Sequence, residues 1–170
     1  MKLTRLLFTA ALAFAGAASA KEITLDGRDF MAIYPADTTW GESSAGSLYC
    51  TAGTGYFEAQ VPVPYGARIR QIAMWGGDNS TSNASVRLHR VCQAEFDAQT
   101  PTFAFIASAA TSGTPGAYFV SDTLDHVAND TDTCVYIAQI SYDVTCSTNL
   151  TVGKVRIRYT DDTIFANGFD

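Results

Sequence analysis

Apolar and polar side chains alternate with a two-residue period in short segments along this chain, and turn-forming residues separate the segments. Tyr56–Val61 puts Phe57, Ala59 and Val61 on one side and Tyr56, Glu58 and Gln60 on the other. Pro62 and Pro64 close that segment, and Tyr65 with Gly66 forms a turn. Val152–Tyr159 repeats the pattern, with Val155, Ile157 and Tyr159 opposed to Lys154, Arg156 and Arg158. A period of two belongs to a half-buried β-strand, because successive side chains leave opposite faces of the backbone. No stretch beyond the N-terminal segment sustains the 3.6-residue period of a helix.

Further strands follow by the same reasoning. Ala67–Trp75 ends at Gly76, Gly77, Asp78 and Asn79. Ser85–Cys92 turns Val86 and Leu88 inward and Arg87 and His89 outward, to a solvated face. Phe103–Ala109 follows Pro101, and Ala117–Ser121 follows the turn Gly113–Gly116. Cys134–Tyr142 reads as buried on both sides. Glu22–Leu25 and a segment near Tyr49 complete a set of about eight short strands, which predicts an all-β chain: an antiparallel β-sandwich of jelly-roll or Greek-key type. A closed barrel is the alternative. The cysteines at 50, 92 and 134 are evenly spaced, but their surroundings do not repeat.

Residues 1–20 read as a secretory signal peptide. Lys2 and Arg5 precede the apolar run Leu6–Gly16, and Ala18, Ser19 and Ala20 supply the small residues of a cleavage site before Lys21. The run is too short to span a bilayer, and no later segment approaches that length. The expected organisation is a sandwich domain over 21–160 and a C-terminal tail over 161–170, secreted to the periplasm or beyond. The 170-residue chain carries a net charge of −6. Removing Lys2 and Arg5 makes it more negative. Such a domain is a poor partner for nucleic acid or an anionic membrane, because no basic stripe offsets the phosphates.

Four cysteines, Cys50, Cys92, Cys134 and Cys146, predict two disulfides in an oxidising compartment. None of the spacings is that of a zinc site. Cys92 ends one apolar segment and Cys134 begins another. Antiparallel pairing would bring them together, which favours Cys92–Cys134 and leaves Cys50–Cys146. The alternative is a local Cys134–Cys146 clip with Cys50–Cys92.

Catalytic constellations are sparse. The two histidines, His89 and His126, lack a Gly-x-Ser-x-Gly elbow or another marked nucleophile. Glycosidase chemistry needs two facing carboxylates, and Glu58 with Asp78 is the one pair worth naming. Asp122, Asp125, Asp130 and Asp132 form an oxygen-rich stretch in which Asp130 and Asp132 are weak calcium candidates, although Asx turns and solvated charge explain it as well. Asp78–Ser80 reads as a turn. Trp40, Tyr65 and Tyr118 are the candidate ligand-binding aromatics, Trp40 the best exposed, whereas Trp75, beside Ile69 and Met74, is assigned to the core. No cofactor is implied. The Asn-x-Ser/Thr sequons at Asn79, Asn83, Asn129 and Asn149 are read as loop composition in a bacterial chain.

Pro64, Gly66, Ala67 and Ile69, followed by Trp75–Ser80, Val86–Arg90 and the closing Val155–Tyr159, resemble the pattern of uncharacterised secreted bacterial β-sandwich proteins. That resemblance covers about half of the domain and implies a fold and no activity. Ile164, Phe165, Gly168, Phe169 and Asp170 are similar to the I-F-x-x-G-F-E tails of exported Gram-negative proteins, with Asp in place of Glu. Such a tail implies a processing or sorting tag. The function expected is a secreted or surface-associated module for binding a glycan or cell-surface ligand, or for envelope assembly by self-association. The alternative is a carbohydrate-active hydrolase on a jelly-roll scaffold.

Overall fold

The computed structural model describes residues 19–93, 101–129, 133–142 and 146–161. Most of the signal segment, most of the tail, and the calcium candidates Asp130 and Asp132 therefore lie outside the described residues. The described chain forms eleven strands: β1 (Ala20–Asp26), β2 (Met31–Ala32), β3 (Thr39–Glu42), β4 (Leu48–Ala52), β5 (Tyr56–Val61), β6 (Arg68–Asp78), β7 (Ala84–Cys92), β8 (Thr102–Ala110), β9 (Gly116–Val127), β10 (Cys134–Tyr142) and β11 (Leu150–Thr160). One 3₁₀ turn, Gly27–Asp29, follows β1; the Asp26 carboxylate accepts from the Arg28 amide at 2.9 Å, and Asp29 accepts from the Asp26 amide at 2.8 Å.

The strands make two sheets. The larger runs β3-β4-β11-β6-β9, with β1 also paired to β11; the smaller runs β2-β5-β10-β7-β8. All the strand pairs are antiparallel. From β4 to β7 and again from β8 to β11 the chain changes sheet at each connection, apart from the β7–β8 pair, so the two layers are interleaved in sequence. The turn before β6 uses Gly66 at φ 75°, and the turn before β9 uses Gly113 at φ 71°, a backbone region where glycine has no Cβ penalty.

The core lies between the sheets. Phe57, Val61, Val86, Leu88, Tyr136 and Ile140 come from the smaller sheet; Ile69, Ile72, Met74, Val152, Val155 and Ile157 come from the larger. On β5, β7 and β11 these are the inward positions that alternation assigns, except Val152, which is out of phase with Val155 and is turned inward by the bulge before Lys154. Both disulfides take the favoured connectivity, Cys92–Cys134 and Cys50–Cys146. Cys92 and Cys134 are direct cross-strand partners at the ends of β7 and β10, the antiparallel meeting on which that pairing was argued.

Four expectations are corrected. Strand number exceeds eight because β2 and β3 are too short to leave a periodic signal. β6 does not stop before Gly76: it continues to Asp78, since Gly76 and Gly77 pair with both β11 and β9. β9 extends through Val127 rather than ending at Ser121, because Asp122, Thr123, His126 and Val127 go on pairing with β6; the polar residues Asp122 and His126 interrupt the apolar alternation there, and His126 is bonded to Tyr136. Trp75 does not face the core. A β-bulge between Ile69 and Gln71 shifts the frame of β6, so Ile69 and Ile72 both point inward; Met74 follows them and its neighbour Trp75 must face out.

Candidate functional site

The outer face of the larger sheet carries an ordered array of side chains. Cross-strand register aligns Lys154, Trp75 and Phe119 in one row across β11, β6 and β9. The next row is Arg156, Ala73 and Ser121, and the third is Arg158, Gln71 and Thr123. One column is therefore cationic, the middle one carries an indole and an amide, and the edge column carries a phenyl ring and two hydroxyls. Ala73 at the centre is fully buried beneath its larger neighbours.

Trp75 and Phe119 form a tilted pair with ring centroids 6.1 Å apart, and Phe119 is 57% exposed. The Arg156 guanidinium lies 5.2 Å from the Trp75 ring, a cation–π arrangement that fixes both groups. With Tyr118 these residues line an open depression of about 350 Å³. Tyr118 reaches it from the edge strand: its hydroxyl lies beside Gly76 and donates to the Thr151 carbonyl at 2.8 Å. Any Cβ at Gly76 would collide with that hydroxyl and with the Thr151 carbonyl, so glycine is needed for the two to meet there. Burial pushes the Tyr118 phenol far up, with Asp78 adding to the shift, so it stays a neutral donor.

Polar capacity on this face is left over. Gln71 Oε1 and Arg156 Nε are buried and, among the described residues, make no hydrogen bond. Asp125 at the far end of the face is held at 2.9 Å by Arg68 and Arg70, whereas the ion pairs that reach Arg156 and Arg158 are long: Glu22 lies 3.8 Å from Arg156 and 3.7 Å from Arg158. Contacts of that length at a surface add little to stability and leave the guanidinium groups able to bond elsewhere.

The residues singled out from sequence are not gathered in one place. Trp40 on β3 is 39% exposed, with its ring edge-on to Phe57 at 6.1 Å; Phe57 in turn meets Tyr142 at 5.9 Å. This aromatic chain crosses from one sheet to the other. Tyr65 is 64% exposed at the β5–β6 turn. Of the three, Tyr118 alone borders the depression. Glu58 sits on the outer face of the smaller sheet and accepts from Gln139 at 3.1 Å, whereas Asp78 is buried in the larger sheet and bonded to Ser80, so the two carboxylates do not form a facing pair. The Ser80 amide bonded to Asp78 at 2.9 Å makes the expected turn. His89 is half-buried against Phe105, not freely solvated, and desolvation, with Arg87 adding, lowers its pKa. No group of three or more His, Cys, Asp or Glu able to hold a metal occurs among the described residues.

Trp75, Phe119 and Gln71 were missed as site residues. Their assembly depends on the β6 bulge and on the order β11-β6-β9, and neither is written in local alternation. The signal that was readable is the outward cationic triplet on β11.

No protein-family model matches the chain, and no curated protein matches it. Solved structures do. A Clostridium thermocellum endo-1,4-β-D-xylanase 10B containing CBM22-1 and GH10 modules, determined with xylohexaose, matches with a TM-score of 0.51 and 12% identity over 82% of this chain. This chain spans 28% of that protein's length. The C-terminal CBM6 of a marine laminarinase from Zobellia galactanivorans matches with a TM-score of 0.47 and 12% identity over 81% of this chain and 98% of that one. The xylan-binding module CBM15 matches with a TM-score of 0.47 and 13% identity, over 85% and 98% of the two chains. At such identity the shared property is the β-sandwich fold. Both cysteine pairs are oxidised, and no helix among the described residues is long and apolar enough to cross a membrane.

Proposed function

We propose that this chain is a secreted, non-catalytic module that binds a glycan on the outer face of its larger sheet. The observation that carries the reading is the Trp75–Phe119 pair set beside Arg156 and Gln71, whose buried polar atoms lack partners. A pyranose ring has apolar C–H faces and a rim of hydroxyls. The aromatic faces take the former, and Arg156, Gln71, Ser121 and Thr123 can donate to or accept from the latter. Ligand binding would then satisfy groups that the empty face leaves unpaired. Secretion rests on the basic and apolar start of the chain and on its closed disulfides. The xylohexaose in the xylanase structure makes a xylan-type oligosaccharide the first ligand to try.

Isothermal titration against xylan, laminarin and cello-oligosaccharides tests this. One of them should bind, and Trp75→Ala and Phe119→Ala should each weaken binding about tenfold or more, since losing about 1.4 kcal/mol is a factor of ten. Trp40→Ala and Tyr65→Ala should bind as the wild type does. If Trp40→Ala abolishes binding and Trp75→Ala does not, the site belongs to β3. Flat titrations across the whole panel remove the glycan reading, and release of reducing ends on incubation restores the hydrolase.

A further inference from the structure

We infer that the β8 edge of the smaller sheet is a self-association surface, and that its partner is a second copy of this chain. This inference is independent of the glycan site. β8 is the terminal strand of its sheet, and among the described residues its outer edge pairs with nothing. A nine-residue strand so placed offers a row of unpaired backbone donors and acceptors. Edge strands are ordinarily protected by shortness, charge or proline. β2 and β3, with two and four residues, are protected by shortness, and β9 carries Asp122 and Asp125. β8 has neither charge nor proline. Residues 98–121 contain no Asp, Glu, Lys or Arg, in a protein whose net charge is −6.

The side chains beside this edge are apolar. Phe103 pairs with Val91, which pairs with Val135; Phe105 pairs with His89, which pairs with Ile137. Phe103, Phe105 and Val135 remain 65%, 61% and 42% exposed on the outer face. His89 Nε2 is buried there without a hydrogen-bond partner.

Charge decides the occupant. Two copies of an acidic protein repel across most of their surfaces, and the charge-free edge is where they can meet without that penalty. A basic partner would gain nothing from an uncharged strand. An antiparallel pairing of β8 with itself about a twofold axis is self-complementary and joins the two five-stranded sheets and their phenylalanine patches. Area sets the strength. At about 200 Å² per aromatic side chain, the exposed parts of Phe103 and Phe105 contribute at most roughly 250 Å² per copy, because Val135 lies two strands in from the edge. Twice that is below the roughly 1,200 Å² of a standard stable interface, so the patch needs the added backbone ladder and the dimer is a weak one.

Sedimentation equilibrium of the purified chain from about 5 µM to about 500 µM is the test, with a midpoint expected on the order of 10–100 µM. The mass should rise from monomer toward dimer. Phe105→Lys should weaken association at least tenfold while leaving the far-UV spectrum and melting temperature unchanged; Phe103→Ser is the second variant should the first misfold. Trp75→Ala should dimerise normally whether or not it binds a glycan. A wild-type chain that is monomeric throughout overturns the inference, as does a dimer that both phenylalanine variants leave intact.

Discussion

Tyr136 and His126 show how single residues tie the layers together. Tyr136 on β10 is buried, and its hydroxyl lies 2.9 Å from His126 Nε2 on β9, in the opposite sheet. Tyr136→Phe should cost about 1 kcal/mol in denaturant unfolding, because it removes that hydrogen bond and strands a half-buried ring nitrogen. The two histidines also set a pH response. Desolvation holds both below the ordinary imidazole value of 6.5, with Arg87 adding at His89 and Arg90 at His126. Between that value and the lower folded pKa the unfolded chain binds more protons, so their contribution is complete above about pH 6.5 and is lost as pH falls through the folded pKa. Thermal melts should give a lower Tm at pH 5.5 than at pH 7.5. His89→Gln with His126→Gln should shrink the difference; an undiminished difference would show that other groups produce it.

At the scale of elements, the two disulfides constrain different things. Cys92–Cys134 links positions 42 residues apart that strand pairing already aligns, and Cys50–Cys146 closes a separation of 96. Replacing either pair with alanine should cost on the order of 4 kcal/mol through the freed unfolded chain, slightly more for the longer loop. Chemical denaturation of the two double variants checks the ranking. The elements also mark where sequence reasoning held. β5, β7 and the Lys154–Arg158 stretch of β11 were readable because each alternates and is buried on one face, and Cys92 and Cys134 were paired because both strand ends were visible. The face bearing Trp75 was not, because one bulged residue at Arg70 inverts the frame between Ile69 and Ile72. Local alternation carries no information on such a shift. Nor does it say that β9 rather than β5 flanks β6, so Phe119 could not be placed beside Trp75.

For the whole molecule, the inner faces supply the stability and the outer faces are free to bind. Leu88→Ala or Ile157→Ala, each removing a fully buried side chain, should lower stability by about 2–5 kcal/mol. Trp75→Ala, on the outer face, should leave Tm nearly unchanged. Calorimetry on the three variants separates the roles, and a large loss for Trp75→Ala would make it a structural residue. The topology has one more consequence. β11 pairs with β1, β4 and β6 and so holds the larger sheet together, yet it is the final strand of the domain. During synthesis β6–β9 and the β3–β4 hairpin can pair, but β1 has no partner and the larger sheet stays in two pieces until that segment has emerged. Closure of the larger sheet is thus deferred until the last strand of the sandwich has been made, so its non-local pairings come late in folding.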